Sequence, residues 1–196
     1  MIAGVRGRLT AKTGERVFVA TAGGVTYEIA VPVGVLERLP GEGGDVELRT
    51  VPVVREDGWF LYGFDTEHER TVFQRLLGAT GVGPKLAMAL LSALGGVRTV
   101  QALKQGELGL LCTVPGIGKK TAERMVLELK DKFGDLEAPV GAPPSSMAAE
   151  QALQALINLG YNPAEADRAV RAVVSHNGAE ETVELIRGAL QRLAAR

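Results

Sequence analysis

Cysteine is almost absent from this chain: Cys112 is the only one in 196 residues. A single thiol excludes an intramolecular disulfide and any cysteine-rich metal or iron–sulfur site. Cys112 lies in an apolar stretch and reads as core packing, not as a nucleophile. No apolar run reaches the ~18 residues of a membrane span, and the start Met1-Ile2-Ala3-Gly4-Val5-Arg6 lacks a signal-peptide pattern. These absences make the cytoplasm the expected compartment. There are two histidines, His68 and His176, and neither has a Ser, Cys or acid constellation around it. Both read as surface residues, and neither catalysis nor a bound metal or other cofactor is expected. An excess of one charge is missing too, since the formal net charge is -1. That total hides a gradient. Residues 1–63 carry 7 Lys/Arg against 8 Asp/Glu, residues 64–134 carry 10 against 7, and residues 135–196 carry 5 against 8. The middle third is therefore cationic, and a neutral total does not argue against a nucleic-acid partner.

The cationic third contains two short glycine hairpins 35 residues apart, Gly81-Val82-Gly83-Pro84-Lys85 and Gly116-Ile117-Gly118-Lys119-Lys120. The match extends outward at the same offset, pairing Leu76 with Leu111, Lys85 with Lys120, Ala87 with Ala122 and Leu94 with Leu129. A tight Gly-apolar-Gly turn opening a helix presents backbone N–H groups at a positive helix end, which is an anion site. A single such hairpin is as readily a plain helix–helix turn. Two in register, each followed by lysine, point to a grip on phosphate backbones that reads no sequence. A P-loop is excluded by spacing, because it would need glycine at Thr113 and a hydroxyl at Lys120. No nucleotide site and no intrinsic ATPase activity are expected.

The rest of the chain divides around these hairpins. In residues 1–63, Val17, Val19, Tyr27, Ile29 and Val31 alternate at period two, and further apolar runs follow at Val46 to Val54 and at Trp59 to Phe64. Five or six short strands in about 60 residues fit a small barrel, with an OB-fold leading. From Phe64 the period becomes helical, and residues 64–134 read as one five-helix domain. Residues 135–146 hold Pro139, Gly141, Pro143 and Pro144 and read as a linker. Residues 147–196 read as three helices, with Gly160 closing the first, Asn162-Pro163-Ala164-Glu165 opening the second and Asn177-Gly178 ending it. The fold class is thus α+β and multidomain.

The runs Thr80 to Ala87 and Leu111 to Arg124 resemble tandem helix-hairpin-helix motifs. Their setting is more specific. A β domain opening on Met1-Ile2 and closing on Leu61-Tyr62-Gly63-Phe64, a Pro-rich linker and a C-terminal bundle with Leu159-Gly160-Tyr161 are similar to the RuvA family. Its members are the Holliday-junction-binding subunits of a bacterial branch-migration machine, and the resemblance covers nearly the whole chain. It implies an OB-fold barrel that builds a homotetramer, and a tandem helix-hairpin-helix domain that binds DNA. It further implies a C-terminal UBA-like three-helix bundle that docks the hexameric ATPase RuvB, with the RuvC resolvase as a further partner. Whether one tetramer or two hold the junction stays open. Carried over by position, the implied DNA-binding residues are Gly81, Gly83, Lys85, Gly116, Gly118, Lys119, Lys120 and Arg124. The turn Arg55-Glu56-Asp57-Gly58 contains Asp-Gly, a common hairpin pair that needs no function. The resemblance instead puts Glu56 and Asp57 on an acidic pin at the crossover.

Two other readings compete. A helix-hairpin-helix glycosylase or lyase would use Lys120 and an aspartate some eighteen residues later, where Ala138 stands, with Asp131 and Asp135 displaced. An OB-like domain binding single strands would need a basic groove with exposed stacking aromatics. Here the β domain is near neutral and its aromatics, gathered in the final strand, read as core.

Overall fold

A computed structural model describes residues 1–134, 136, 147–161, 165–166, 169–170, 172–174 and 182–194. Residues 1–138 form one compact unit and 139–196 a second. In the first, five strands close a barrel in the order β1-β2-β3-β5-β4: β1 (Gly4–Thr13), β2 (Arg16–Ala20), β3 (Thr26–Ala30), β4 (Asp45–Arg55) and β5 (Gly58–Phe64). All pairings are antiparallel except β3 with β5, where Ala30 lies beside Tyr62. The long β1 serves two neighbours, pairing with β4 through Gly4 to Arg8 and with β2 through Arg8 to Thr13. A register shift between Leu9 and Ala11 bends it from one to the other. Inward residues fill the barrel: Val5, Leu9, Val17, Val19, Ile29, Val31, Val46 and Leu48.

One element has no counterpart in the sequence pattern. The helix α1 (Val33–Arg38) follows Pro32 and buries Val35 in the barrel core. Six residues are too few to establish a helical period. The ammonium of Lys12 donates to the carbonyls of Leu36 and Leu39 at 3.2 and 3.1 Å, satisfying acceptors at the helix end.

The helices that follow are α2 (Glu67–Leu76), α3 (Pro84–Gln105), α4 (Leu108–Leu111) and α5 (Lys119–Leu129), continued by a 3-10 turn over Lys130–Phe133. The stretch called α3 is broken at Gly95, whose φ of 71° and ψ of 172° are not helical, so it is two helices end to end and the five helices expected of residues 64–134 are present. By length and composition the 22 residues could cross a membrane, but half of their apolar stretch is buried in this unit. The break also leaves segments of only ~16 Å, against the ~30 Å of a bilayer core.

Barrel and helices share a core. Phe64, the last residue of β5, and Val51 of β4 join Val72, Phe73, Leu76, Leu90, Leu103 and Phe133 in one cluster. The Phe64 and Phe73 rings lie 5.0 Å apart and Tyr62 and Phe73 5.1 Å apart. Polar clasps edge the seam. Arg38 of α1 donates to Asp65 at 3.0 Å and to Glu69 of α2 at 3.3 Å, and the Val33 N–H donates to Ser92 Oγ at 3.1 Å. Burial pushes the Glu69 carboxyl above its ordinary range, with Arg38 pulling it back.

Four side chains differ from expectation. Cys112 is exposed, because the short α4 turns Leu111 inward and the next residue to solvent. Trp59 is 81% and Phe60 37% exposed, because β4 and β5 run on as a hairpin past the barrel, where alternation no longer has a core to face. His68 is half-buried, with its ring against Gly96. His176 lies outside the described residues, as do almost all of 135–146, Asn162-Pro163-Ala164 and Asn177-Gly178.

In the second unit α6 (Met147–Asn158) is ended by Gly160 at φ 93°, and the last helix spans Thr182–Ala194. Ala152 and Leu156 of the first and Leu185 and Ala189 of the second share a core with Ala166, Val170 and Val173 from the segment between them.

Because one core serves barrel and helices, Phe73→Ala is expected to cost about 3–5 kcal/mol. In a denaturant titration of the full chain, strand and helix signals from residues 1–134 should be lost in a single shifted transition. Separate transitions would mean that the two parts do not depend on this packing.

Candidate nucleic-acid interface

The two glycine hairpins repeat one turn, with corresponding backbone bonds. In the first, Ala79 N–H donates to Leu76, Val82 N–H to Ala79 and Ala87 N–H to Gly83, at 3.1, 3.1 and 3.0 Å. In the second, Val114 donates to Leu111, Ile117 to Val114 and Ala122 to Gly118, at 3.2, 3.0 and 2.9 Å. Val82 and Ile117, the residues between the glycines, are buried and pin each hairpin to the core. The hairpins pack beside each other: a Cβ on Gly116 would lie 3.3 Å from Leu86 of α3.

The four glycines fall into two kinds. Gly81 (φ 82°) and Gly116 (φ 91°) are left-handed and are required by the turn itself. Gly83 and Gly118 cap α3 and α5 with φ of -89°, a conformation any residue adopts. A Cβ at Gly118 would meet nothing within 4 Å, and one at Gly83 only the Arg55 guanidinium at 3.9 Å. Neither the backbone angle nor the space around these caps requires glycine. A missing side chain where two helix N-termini face solvent leaves room for an outside group to reach the backbone.

The helix starts carry a second anomaly. An ordinary start is present in α2, where Thr66 Oγ1 accepts from the Glu69 N–H and Glu67 and Glu69 supply negative charge to the first turn. In α3 and α5 no side chain caps the helix and no acid stands in the first turn. Lys85, Lys119 and Lys120 stand there instead, exposed, at the positive end of the dipole. Among the described residues none of the three forms an ion pair, whereas Arg16, Arg38, Arg49, Arg70 and Arg98 all do. Arg124 of α5 reaches across, its guanidinium 3.8 Å from where a Cβ on Gly81 would sit. Glu128, one turn further along α5, accepts the Thr80 N–H at 2.8 Å and ties α5 to the first hairpin. That bond holds the Glu128 carboxyl below the usual carboxylate range.

Glu56 and Asp57 occupy a separate place, the tip of the β4–β5 hairpin, and both are exposed. Arg55 pairs with Gly58, so Glu56 and Asp57, not Asp57 and Gly58, are the two loop residues. Neither has positive φ, so the turn is not the mirror-image kind favoured by Asp-Gly. Among the described residues no group of three or more His, Cys, Asp or Glu could hold a metal. Arg55, which the sequence reading passed over, is brought beside Gly83 by the fold.

The cap glycines separate binding from folding. Gly118→Ala is expected to keep thermal stability within about 1 kcal/mol of the native chain, loss of the glycine cap being offset by a stiffer unfolded chain. It should still weaken DNA binding at least tenfold in a fluorescence titration. Gly116→Ala, forced to positive φ, should lower stability by about 1–2 kcal/mol. Equal binding by Gly118→Ala and native chains would show that nothing approaches that cap.

Comparison with known proteins covers all three parts of the chain. Residues 1–63 match the family model described as the RuvA N terminal domain. Residues 73–131 match the SAM-like helix-hairpin-helix tandem, and residues 148–194 the RuvA C-terminal domain. A Gemmatimonas aurantiaca protein named Holliday junction branch migration complex subunit RuvA is 48% identical over 197 residues, 100% of both chains. Proteins of the same name from Salmonella paratyphi B and Salmonella choleraesuis are 42% identical over 203 residues, 97% of this chain and 98% of theirs. From its barrel through its paired hairpins to its C-terminal helices, the chain belongs to the RuvA family.

Proposed function

We propose that this chain is the non-catalytic DNA-binding subunit of a branch-migration complex, and that it grips the arms of four-way junctions without reading their sequence. The observation that carries the reading is the pair of inverted helix starts, where glycine caps that neither backbone angle nor space requires and unpaired lysines surround exposed N–H donors. Such groups fix position and orientation on a phosphate backbone and carry no base information. Gly81, Gly83 and Lys85 form one grip, Gly116, Gly118, Lys119 and Lys120 the other, and Arg124 lies between them.

A grip alone would hold any duplex. Preference for a junction comes from Glu56 and Asp57, which repel phosphates at the crossover, and from fourfold repetition of the grips around them. The exposed apolar surface of the β4–β5 hairpin supports assembly. Val54 (62% exposed) stands opposite Trp59 on one face of the hairpin, and Phe60 is exposed on the other face. Surface of this kind marks a protein interface, and we assign it to the contact between subunits of a homotetramer. The linker 135–146 and the bundle 147–196 would tether RuvB, whose ATP hydrolysis drives migration; RuvC would share the assembled junction. The setting is the bacterial cytoplasm.

A salt titration with a four-way junction and a linear duplex tests the reading. With roughly eight phosphates neutralised in a tetramer, log affinity for the junction should fall against log salt with a slope of about -7. A slope near -2 rules out the multi-hairpin grip. In the same titration Glu56→Gln/Asp57→Asn should narrow the preference for junction over duplex; an unchanged preference removes the acidic turn from the account.

Native mass measurement tests the assembly. The chain should run as four copies, and Trp59→Ser/Phe60→Ser as fewer, with its thermal transition retained. A tetramer unaffected by the double change would place the subunit contact elsewhere.

A further inference from the structure

Arg55 is the last residue of β4, one residue before the acidic loop. It is exposed, and among the described residues its side chain has no hydrogen bond and no ion pair, the backbone alone pairing with Gly58. Two carboxylates follow it directly in sequence, yet it pairs with neither. Its guanidinium instead lies against the first glycine hairpin, 3.9 Å from where a Cβ on Gly83 would sit. This is an expensive place for a free cation, because Gly83 caps α3, Lys85 stands in the first turn of that helix, and no acid accompanies them. Helix dipole, ammonium and guanidinium all repel one another there. An anion at the Gly83 cap would convert that repulsion into attraction, and a guanidinium suits phosphate because it offers several N–H donors in one plane.

We propose that Arg55 is a further DNA-contact residue: it shares with the first hairpin the phosphate nearest the crossover and so registers a junction arm against the acidic turn. The inference rests on the hairpins being phosphate grips and adds what lies between grip and turn. A linear duplex crossing the first hairpin is kept away from Glu56 and Asp57 and gains little from Arg55. An arm that ends at the crossover is drawn against the turn and gains the contact in full. Arg55 therefore acts on the choice between junction and duplex more than on the grip itself.

The test uses the full-length chain with a four-way junction and a linear duplex of the same length at fixed salt. Arg55→Gln should weaken junction binding about tenfold or more, the loss expected for a charged contact, and duplex binding less than roughly threefold. Arg55→Lys, which keeps the charge but loses the planar set of donors, should bind the junction more weakly than the native chain and more tightly than Arg55→Gln. Lys85→Gln serves as the reference and should weaken both DNA forms. If Arg55→Gln leaves the junction unaffected, or weakens both forms equally, the assignment is overturned while the hairpin reading stands. An Arg55→Lys chain as weak as Arg55→Gln overturns it as well, because charge is then not the cause. If Lys85→Gln changes neither form, the hairpin reading itself fails, and this inference with it.

Discussion

The packing of Phe64 on Phe73 governs what the rest of the molecule can do. Phe64 ends the strand that begins at the acidic turn, and Phe73 lies on the helix that leads into the first glycine hairpin. Their contact merges barrel and helices into one core. A ladder of seven paired positions from Arg49–Phe64 to Arg55–Gly58 then carries that rigidity out to the turn. Had barrel and helices been joined by a free linker, carboxylates and lysines would sit at no fixed separation. A pattern of attraction and repulsion could then carry no information about the shape of a ligand.

Against that rigid frame, the starts of α3 and α5 are poor helix design. A cation in the first turn costs a few tenths to about 1 kcal/mol, and an uncapped start forgoes a comparable amount. The same chain builds a well-capped, acidic start at α2, so the deviation belongs to those two sites and not to the sequence in general. Folding recovers none of this cost. A phosphate at each cap would recover it, since it supplies the negative charge that Asp or Glu gives elsewhere. On the proposed reading, stability has been given up where binding needs it.

How much of this could be read from the sequence depended on how local each feature is. The hairpins were legible because Gly81 and Gly116 answer to the sign of one backbone angle, and because the 35-residue offset repeats a hydrogen-bond pattern. The helix α1 was not, being too short to show a period. Nor was β1 singled out, since its inward residues reduce to Val5 and Leu9 among polar neighbours. Alternation identified β5 as a strand but not where its core ends, so Trp59 and Phe60 read as buried and are exposed. The approach of Arg55 to Gly83 joins two distant segments and has no sequence signature at all.

The near-neutral total charge follows from the same geometry. Exposed charges act over a Debye length of about 8–10 Å at ordinary salt. Lysines at the helix starts therefore attract whatever lies on the hairpins with little interference from acids elsewhere in the chain. By the same limit the carboxylates at the turn act only on phosphates that come close to it. A duplex lying wholly on the hairpins is unaffected by them; strands forced across the turn are repelled. Under the proposed function, screening is thus what would let one subunit be attractive and repulsive to the same polymer, and it would make the choice of ligand a matter of where phosphates lie, not of how many there are.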